Sequence, residues 1–114
     1  MVTPSAGAVV TVLFPFSDLT SSKLRPAVVL ADAGRGDWIL CQITSNPYSD
    51  PDAVQIEDED FANGSLQRTS YARPGKIFTA SETLMISQVG KLKDSSFRKA
   101  TNAVVHLLQS NIPI

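Results

Sequence analysis

The sequence predicts an α+β domain that is mainly β: a small barrel or rolled sheet of antiparallel strands, with a short helix late in the chain and a longer one at its C-terminus. Three observations lead there. Short runs rich in Val, Ile, Thr and aromatic residues recur between residues 7 and 80. Clusters of Gly, Pro, Asn, Asp and Ser, which turn a chain, separate them. Only residues 94–108 place apolar side chains at helical spacing. At 114 residues the chain has room for one core, so residues 1–114 are read as a single domain.

Residues 7–14, GAVVTVLF, are β-branched and run into Pro15, a first strand and its stop. The polar stretch 15–25 exceeds the roughly two to five residues of a hairpin connection, and long loops on small barrels often bind ligands. PAVVLA, 26–31, reads as a second strand with Pro26 at its first position, one of the few places a strand tolerates proline. AGRG at 33–36 is a turn. DWILCQITS, 37–45, gives a third strand with Trp38, Leu40, Gln42 and Thr44 sharing one face. NPYSDPD at 46–52 is turn chemistry.

AVQIEDEDF, 53–61, reads as a short strand whose acidic end, 57–60, stays extended, so its carboxylates alternate faces and gather no metal. NGS at 63–65 turns the chain, LQRTSYAR leads to Pro74-Gly75, and KIFTA at 76–80 resumes a strand. SETLMISQVGKL, 81–92, opens on Ser81 as an N-cap with Glu82 in the first turn, predicting a short helix or a single turn. Asp94, Ser95 or Ser96 caps the last helix, whose apolar positions are Phe97, Ala100, Thr101, Val104, Val105 and Leu108. Pro113 lies just beyond it.

Hydrophobic residues make up 43% of the chain and charged residues 18%, an ordinary balance for a soluble globular protein. No stretch reaches the ~18 apolar residues of a membrane helix, and the N-terminus lacks a signal-peptide layout, so a cytoplasmic location without membrane contact is expected. Cys41 is the only cysteine, which excludes an internal disulfide and a cysteine-rich metal site; within WILCQI it reads as a buried, inert thiol. The net charge of −1 gives no general support for nucleic-acid binding. Its distribution is polarised: residues 1–60 carry three cations (Lys23, Arg25, Arg35) against nine acids, and residues 61–114 carry seven against two (Glu82, Asp94). Such a chain can form a local basic surface, or a surface complementary to its own other half.

Several enzyme classes are excluded by their missing motifs: there is no glycine-rich phosphate loop, GxSxG, HExxH or CxxC. His106 is the only histidine, which rules out a two-histidine nuclease within one chain. Polar residues at strand ends remain. Arg25 precedes the second strand; Thr44, Ser45 and Asn46 end the third; Arg68, Ser70, Tyr71 and Arg73 cluster in the fifth segment. A guanidinium offers five donors in a planar fork suited to phosphate oxygens and keeps its charge, and hydroxyls can donate beside it. That is suitable chemistry for a phosphodiester, and equally the ordinary look of polar strand ends; spacing alone leaves both open.

GAVVTVLFPFSDLTSSKLRPAVVL, ITSN at 43–46, TSYARPGKIFT at 69–79 and LMISQVGKL at 84–92 follow the order and spacing of PemK/MazF-like toxins, the toxic halves of bacterial type II toxin–antitoxin pairs. The chain resembles that family over about residues 7–108. The resemblance implies a barrel of the Src-homology-3 kind with short helices, forming a homodimer. It implies sequence-specific endoribonuclease cleavage of single-stranded RNA such as mRNA, with no metal and no cofactor, inhibiting translation and growth. It also implies a cognate antitoxin, a separate chain whose disordered tail folds into the RNA groove. The family's catalytic arginine matches Arg25 and its catalytic threonine or serine matches Thr44. Ser17, Lys23, Ser45, Asn46, Arg68, Ser70, Tyr71 and Arg73 are the RNA-binding candidates, with Phe16, Tyr48 and Tyr71 as aromatic surfaces for bases and Ser21 and Ser22 as further loop contacts. Many members carry Gly-Asp where this chain has Gly7-Ala8, so a carboxylate at the start of the first strand is missing here.

The chemistry expected from this resemblance is attack of the RNA 2′-hydroxyl on the adjacent phosphorus, with expulsion of the 5′-oxygen and a 2′,3′-cyclic phosphate left behind. Arg25 suits the phosphorane charge rather than proton shuttling, since its pKa above ~12 leaves almost no base form near neutrality. Two rival readings share the fold: a protein-binding barrel descended from such a toxin, and a gyrase poison acting through its C-terminal end. The discriminating feature is the Arg25–Thr44 pair, for which neither rival has a use.

Overall fold

Val9, Val10 and Val12 near the N-terminus and Ala27, Val28 and Val29 further on are all buried, immediate neighbours included. A strand with one wet face alternates, whereas a strand covered on both faces reads as an unbroken apolar run. The computed structural model describes residues 2–15 and 22–113 and accounts for the double covering. Its strands are β1 (Ala8–Pro15), β2 (Ser22–Gly34), β3 (Asp37–Thr44), β4 (Val54–Ile56), β5 (Phe61–Gly64), β6 (Ser70–Ser81) and β7 (Met85–Leu92), followed by helix α1 (Asp94–Ser110). They form one curled sheet in the order β4-β6-β3-β2-β1-β7-β5, and every pairing is antiparallel.

Two apolar clusters cover the two faces. One gathers Val10, Val12, Ala27, Val29, Leu40 and Met85, with Trp38 packed against it. The other gathers Val9, Val28, Cys41, Ile43, Phe61 and Leu92, with Phe97 of α1 against it. Removing a side chain as enclosed as Leu40 costs about 2–5 kcal/mol, because the surroundings relax only partly into the space. The predicted fold class is the observed one, down to the last helix. Trp38 and Leu40 share a cluster, as the two-residue period required.

The β2–β3 hairpin closes through Arg35 and Gly36, at φ 58° and 81°, between the paired residues Gly34 and Asp37. Positive φ at both central residues is the type I′ turn, whose twist matches that of the strands.

Element boundaries differ from the sequence reading in five places. β2 begins at Ser22 rather than at Pro26, so Arg25 lies within a strand instead of before one; residues 16–21 of the predicted loop lie outside the described residues. The acidic run is not extended: Asp58–Asp60 make one 3₁₀ turn, with Glu57 and Asp60 capping each other reciprocally. Asn63 and Gly64 belong to β5 rather than to a turn. The single turn expected after Ser81 is present, with Thr83 N–H donating 3.3 Å to Ser81 Oγ, but the chain then continues as β7. Helix α1 starts after Lys93 with no side-chain cap, while Ser96 Oγ donates to Asp60 Oδ1 at 2.7 Å. Ala100 and Val104 are buried, and Val105 and Leu108 face outward.

Candidate functional site

The β2–β3 ladder ends early on one side. Val28 pairs with Cys41 and Ala27 with Gln42; the next residue of β2 is Pro26, which has no N–H to give a ladder. Carried two residues further, the same register would set Arg25 opposite Thr44. The strands part instead, and a cavity of about 310 Å³ opens between them. Arg25 and Thr44 line it together with Lys23, Ser45, Tyr48, Arg68 and Ser70, over an apolar lining of Leu24, Pro26, Ile43 and Leu66. Among the described residues that line it, three side chains are cationic and none is a carboxylate. In a chain of net charge −1, three cations around one cleft are a local concentration of basic side chains.

Thr44 is held in a defined way. Its Oγ1 accepts a hydrogen bond of 3.1 Å from Asn46 N–H, which fixes the oxygen and leaves the hydroxyl proton to be donated elsewhere. The segment beyond repeats the device: Tyr48 N–H donates to Asn46 Oδ1 at 2.9 Å and Asp52 N–H to Asp50 Oδ1 at 2.9 Å. Short polar side chains satisfying the backbone two residues on are what Thr, Asn and Asp supply to turns. From β6, Arg73 Nε donates to Asp50 Oδ2 at 3.1 Å, and its guanidinium lies 5.5 Å from the centre of the Tyr48 ring. The backbone N–H of Asp52 holds the Asp50 carboxyl below its usual value against the opposing effect of burial, and the Arg73 guanidinium adds smaller contributions that lower it further.

Of the residues singled out from the sequence, Arg25, Thr44, Lys23, Ser45, Arg68 and Ser70 meet around one cavity. Ser70 is buried and spends its hydroxyl on the Arg68 carbonyl at 3.2 Å. Asn46, Tyr71 and Arg73 stand outside the lining: Asn46 and Arg73 make the loop contacts just described, and Tyr71 pairs with Thr44 across β3 and β6. Ser17, Phe16 and Ser21 lie outside the described residues. Sequence reasoning missed the Arg73–Asp50 pair, whose members are far apart along the chain.

Cys41 is buried and donates to the Arg73 carbonyl at 3.1 Å; burial pushes its thiol up to about 12. It is a core residue. The acidic segment is engaged internally, with Glu57 accepting from Thr69 and Asp58 from Ser65. Among the described residues no three His, Cys, Asp or Glu side chains gather in a way that could hold a metal ion. No helix among them is long and apolar enough to cross a membrane.

Residues 5–108 match the family of PemK-like, MazF-like toxins of type II toxin–antitoxin systems. The chain belongs to that family. Solved structures share its fold. An endoribonuclease in complex with its cognate antitoxin, from a mycobacterial species, superposes with a TM-score of 0.70 at 18% identity, covering 99% of this chain and 100% of that one. MazF in a MazE–MazF structure from Deinococcus radiodurans gives 0.73 at 18% identity over 93% of this chain and 96% of that one. The Mycobacterium tuberculosis toxin MazF-mt6 gives 0.68 at 15% identity over 90% and 96%. At such identities the likeness carries the fold. No curated protein sequence matches this PemK/MazF-like chain significantly.

Proposed function

We propose that this chain is a toxin that cuts single-stranded RNA as a sequence-specific endoribonuclease needing no metal ion, in the cavity between the parted ends of β2 and β3. The observation that carries this reading is the make-up of that cavity: Arg25 and Thr44 beside Lys23 and Arg68, with cations and hydroxyls meeting around one cleft. An anion fits such a lining, and a phosphodiester uses both the guanidinium fork and the hydroxyl donor.

Arg25 binds the non-bridging oxygens of the scissile phosphate and holds the charge that grows on them. Thr44, whose oxygen is already anchored by Asn46 N–H, donates its proton to the same oxygens. The 2′-oxygen bonds to phosphorus, the bond to the 5′-oxygen breaks, the 2′ proton leaves and the departing oxygen takes one up. The products are a 2′,3′-cyclic phosphate and a 5′-hydroxyl. Donors fixed in place before the reaction need no reorganisation during it, which is why such groups contribute more than they would in water. The fold's family supports three further parts of the reading: a homodimer, a cytoplasmic site of action, and a separate antitoxin whose tail occupies the same cavity. Neither a protein-binding barrel nor a gyrase poison calls for a cation-lined cavity with this pair in it.

The test is incubation of the purified protein with a long single-stranded RNA in EDTA, beside Arg25→Ala, with the cut sites and 3′ ends mapped. Cuts at one short motif, ending in cyclic phosphate and slowed roughly 10²–10³-fold in the variant, are expected. A folded wild-type protein that leaves varied RNAs intact, or an Arg25→Ala variant that cuts as fast, overturns the proposal.

A further inference from the structure

Tyr48 stands on the rim of the cavity, 63% exposed, the one aromatic among the exposed large apolar side chains of the described residues. An aromatic ring swinging on a loop would have little use, but this one is fixed from several directions. Tyr48 and Ser49 both sit in the left-handed backbone region, at φ 53° and 58°. Two successive non-glycine residues there are uncommon, and they persist where the surroundings over-determine them. The backbone N–H of Tyr48 is tied to Asn46, which is tied to Thr44. The Arg73 guanidinium covers one face of the ring and is itself held by Asp50. With one face covered, most of the residue is still exposed, at the rim of the cavity that Arg25 and Thr44 also line.

We infer that Tyr48 is the stacking platform for one unpaired RNA base flanking the scissile phosphate, and that Arg73 and Asp50 are the positioning pair that holds the ring for it. The inference rests on the phosphodiester reading of the cavity. The chemistry of the ring favours a base over a basic peptide side chain. A cation already lies against the ring, so a second one on the far side would be repelled by it, whereas a neutral π-face would not. Stacking accepts any base, because every base has a π-face. Tyr48 therefore contributes affinity and register at every cut site, and base choice rests with other contacts.

The test takes a short RNA carrying one mapped cut site, and the same RNA with an abasic nucleotide at either neighbour of the cut. Wild type, Tyr48→Ala, Tyr48→Phe and Asp50→Asn are compared for KM and kcat, and for Kd on a strand made uncleavable by a 2′-deoxy substitution. Tyr48→Ala is expected to raise KM and Kd about 5- to 150-fold with a smaller change in kcat and an unchanged cut motif, and Tyr48→Phe to keep the affinity. The abasic strand should lose a similar factor with wild type and little more with Tyr48→Ala. Asp50→Asn should weaken binding less than Tyr48→Ala does, and add nothing once the ring is gone. An abasic penalty equal in wild type and Tyr48→Ala, or a Tyr48→Phe as weak as Tyr48→Ala, overturns the platform while cleavage by the wild type still stands. A wild type that binds the uncleavable strand but cuts nothing removes the endoribonuclease reading and leaves the platform to the Kd comparison. Equal Kd values for wild type and Tyr48→Ala overturn the platform in either case.

Discussion

Thr44→Val replaces the hydroxyl by a methyl group at nearly constant volume, and the structure separates what this does to stability from what it does to catalysis. One internal hydrogen bond is lost, the 3.1 Å bond accepted from Asn46 N–H. Asn46 is exposed, so its N–H can turn to water. Such a loss costs about 0.5–1.5 kcal/mol, a fall in Tm of roughly 2–12 °C at about 4–8 °C per kcal/mol. The effect on rate is of another size. If the Thr44 proton is given to the phosphorane, its removal resembles loss of one oxyanion donor, about 2.7–4 kcal/mol or 10²–10³ in kcat. Thr44→Ser keeps the oxygen and the proton and should retain most of the rate. The assay is single-turnover cleavage of a defined RNA at saturating protein, where binding and product release drop out, with thermal unfolding in parallel. Asn46→Ala is the control for loop loosening. It cuts the link to Tyr48 N–H but leaves the Thr44 hydroxyl, so it should slow cleavage less than Thr44→Val. A folded Thr44→Val that loses under ~10-fold, or a Thr44→Ser as slow as Thr44→Val, would refute the assigned role.

Three further outcomes test other parts of the structure. In Gly90→Ala the new Cβ would stand 2.5 Å from the Asn63 carbonyl oxygen and 2.8 Å from the nearest Phe61 ring carbon, so denaturant unfolding should show a loss of about 1–3 kcal/mol where β5 meets β7. Asp50 is held below its ordinary carboxyl pKa in the folded state. Its contribution to stability is therefore present above the unfolded value of about 3.9 and is lost as pH falls through the lower folded value. The Tm difference between wild type and Asp50→Asn should close over that acid range and shrink with salt; a difference that grows as pH falls would contradict the pairing. With its thiol pushed up to about 12 from 9.0, Cys41 at pH 8 holds about 1,000-fold less thiolate than it would in the open chain. Alkylation by iodoacetamide should be much slower than in denaturant, and comparable rates would show that the thiol is not enclosed.

The β-rich fold with one terminal helix was legible because unbroken Val/Ala runs, turn clusters and one helical period all agree on it. What escaped notice was structure fixed by distant partners. β7 carries only Met85, Gly90 and Leu92 as buried residues, and shifts in its register against β1 break the alternation by which a strand is recognised. β5 is four residues long, and its Asn-Gly end reads as a turn until Gly90 is found opposite Gly64. Arg25 looked like the residue before a strand because Pro26 follows it. The strand begins earlier, and only pairing with β1, Val12 opposite Arg25, reveals that. Most of the site candidates do meet around one cavity. Arg73 stands apart because its environment depends on Asp50, 23 residues away, and no local pattern records such a pair.

The proposed pair and the proposed platform are held by different means, and the difference matches their work. Arg25 and Thr44 take their relative position from the register of β2 against β3. A slip of one residue would exchange the faces of Val28 and Cys41, buried in one cluster, with those of Ala27, Val29 and Leu40, buried in the other. The core therefore fixes the register that brings both residues to one cavity, and a proposed site for charge stabilisation needs that kind of fixed placement. Tyr48 comes from the segment after β3, and its place depends on hydrogen bonds to Asn46, an ion pair and a ring contact with Arg73, none of which involves the core clusters. Substitutions between residues 45 and 52 can alter how bases are held while leaving the register untouched. The bond that is broken and the affinity with which a neighbouring base is held can thus change separately, because one is set by packing and the other by a loop.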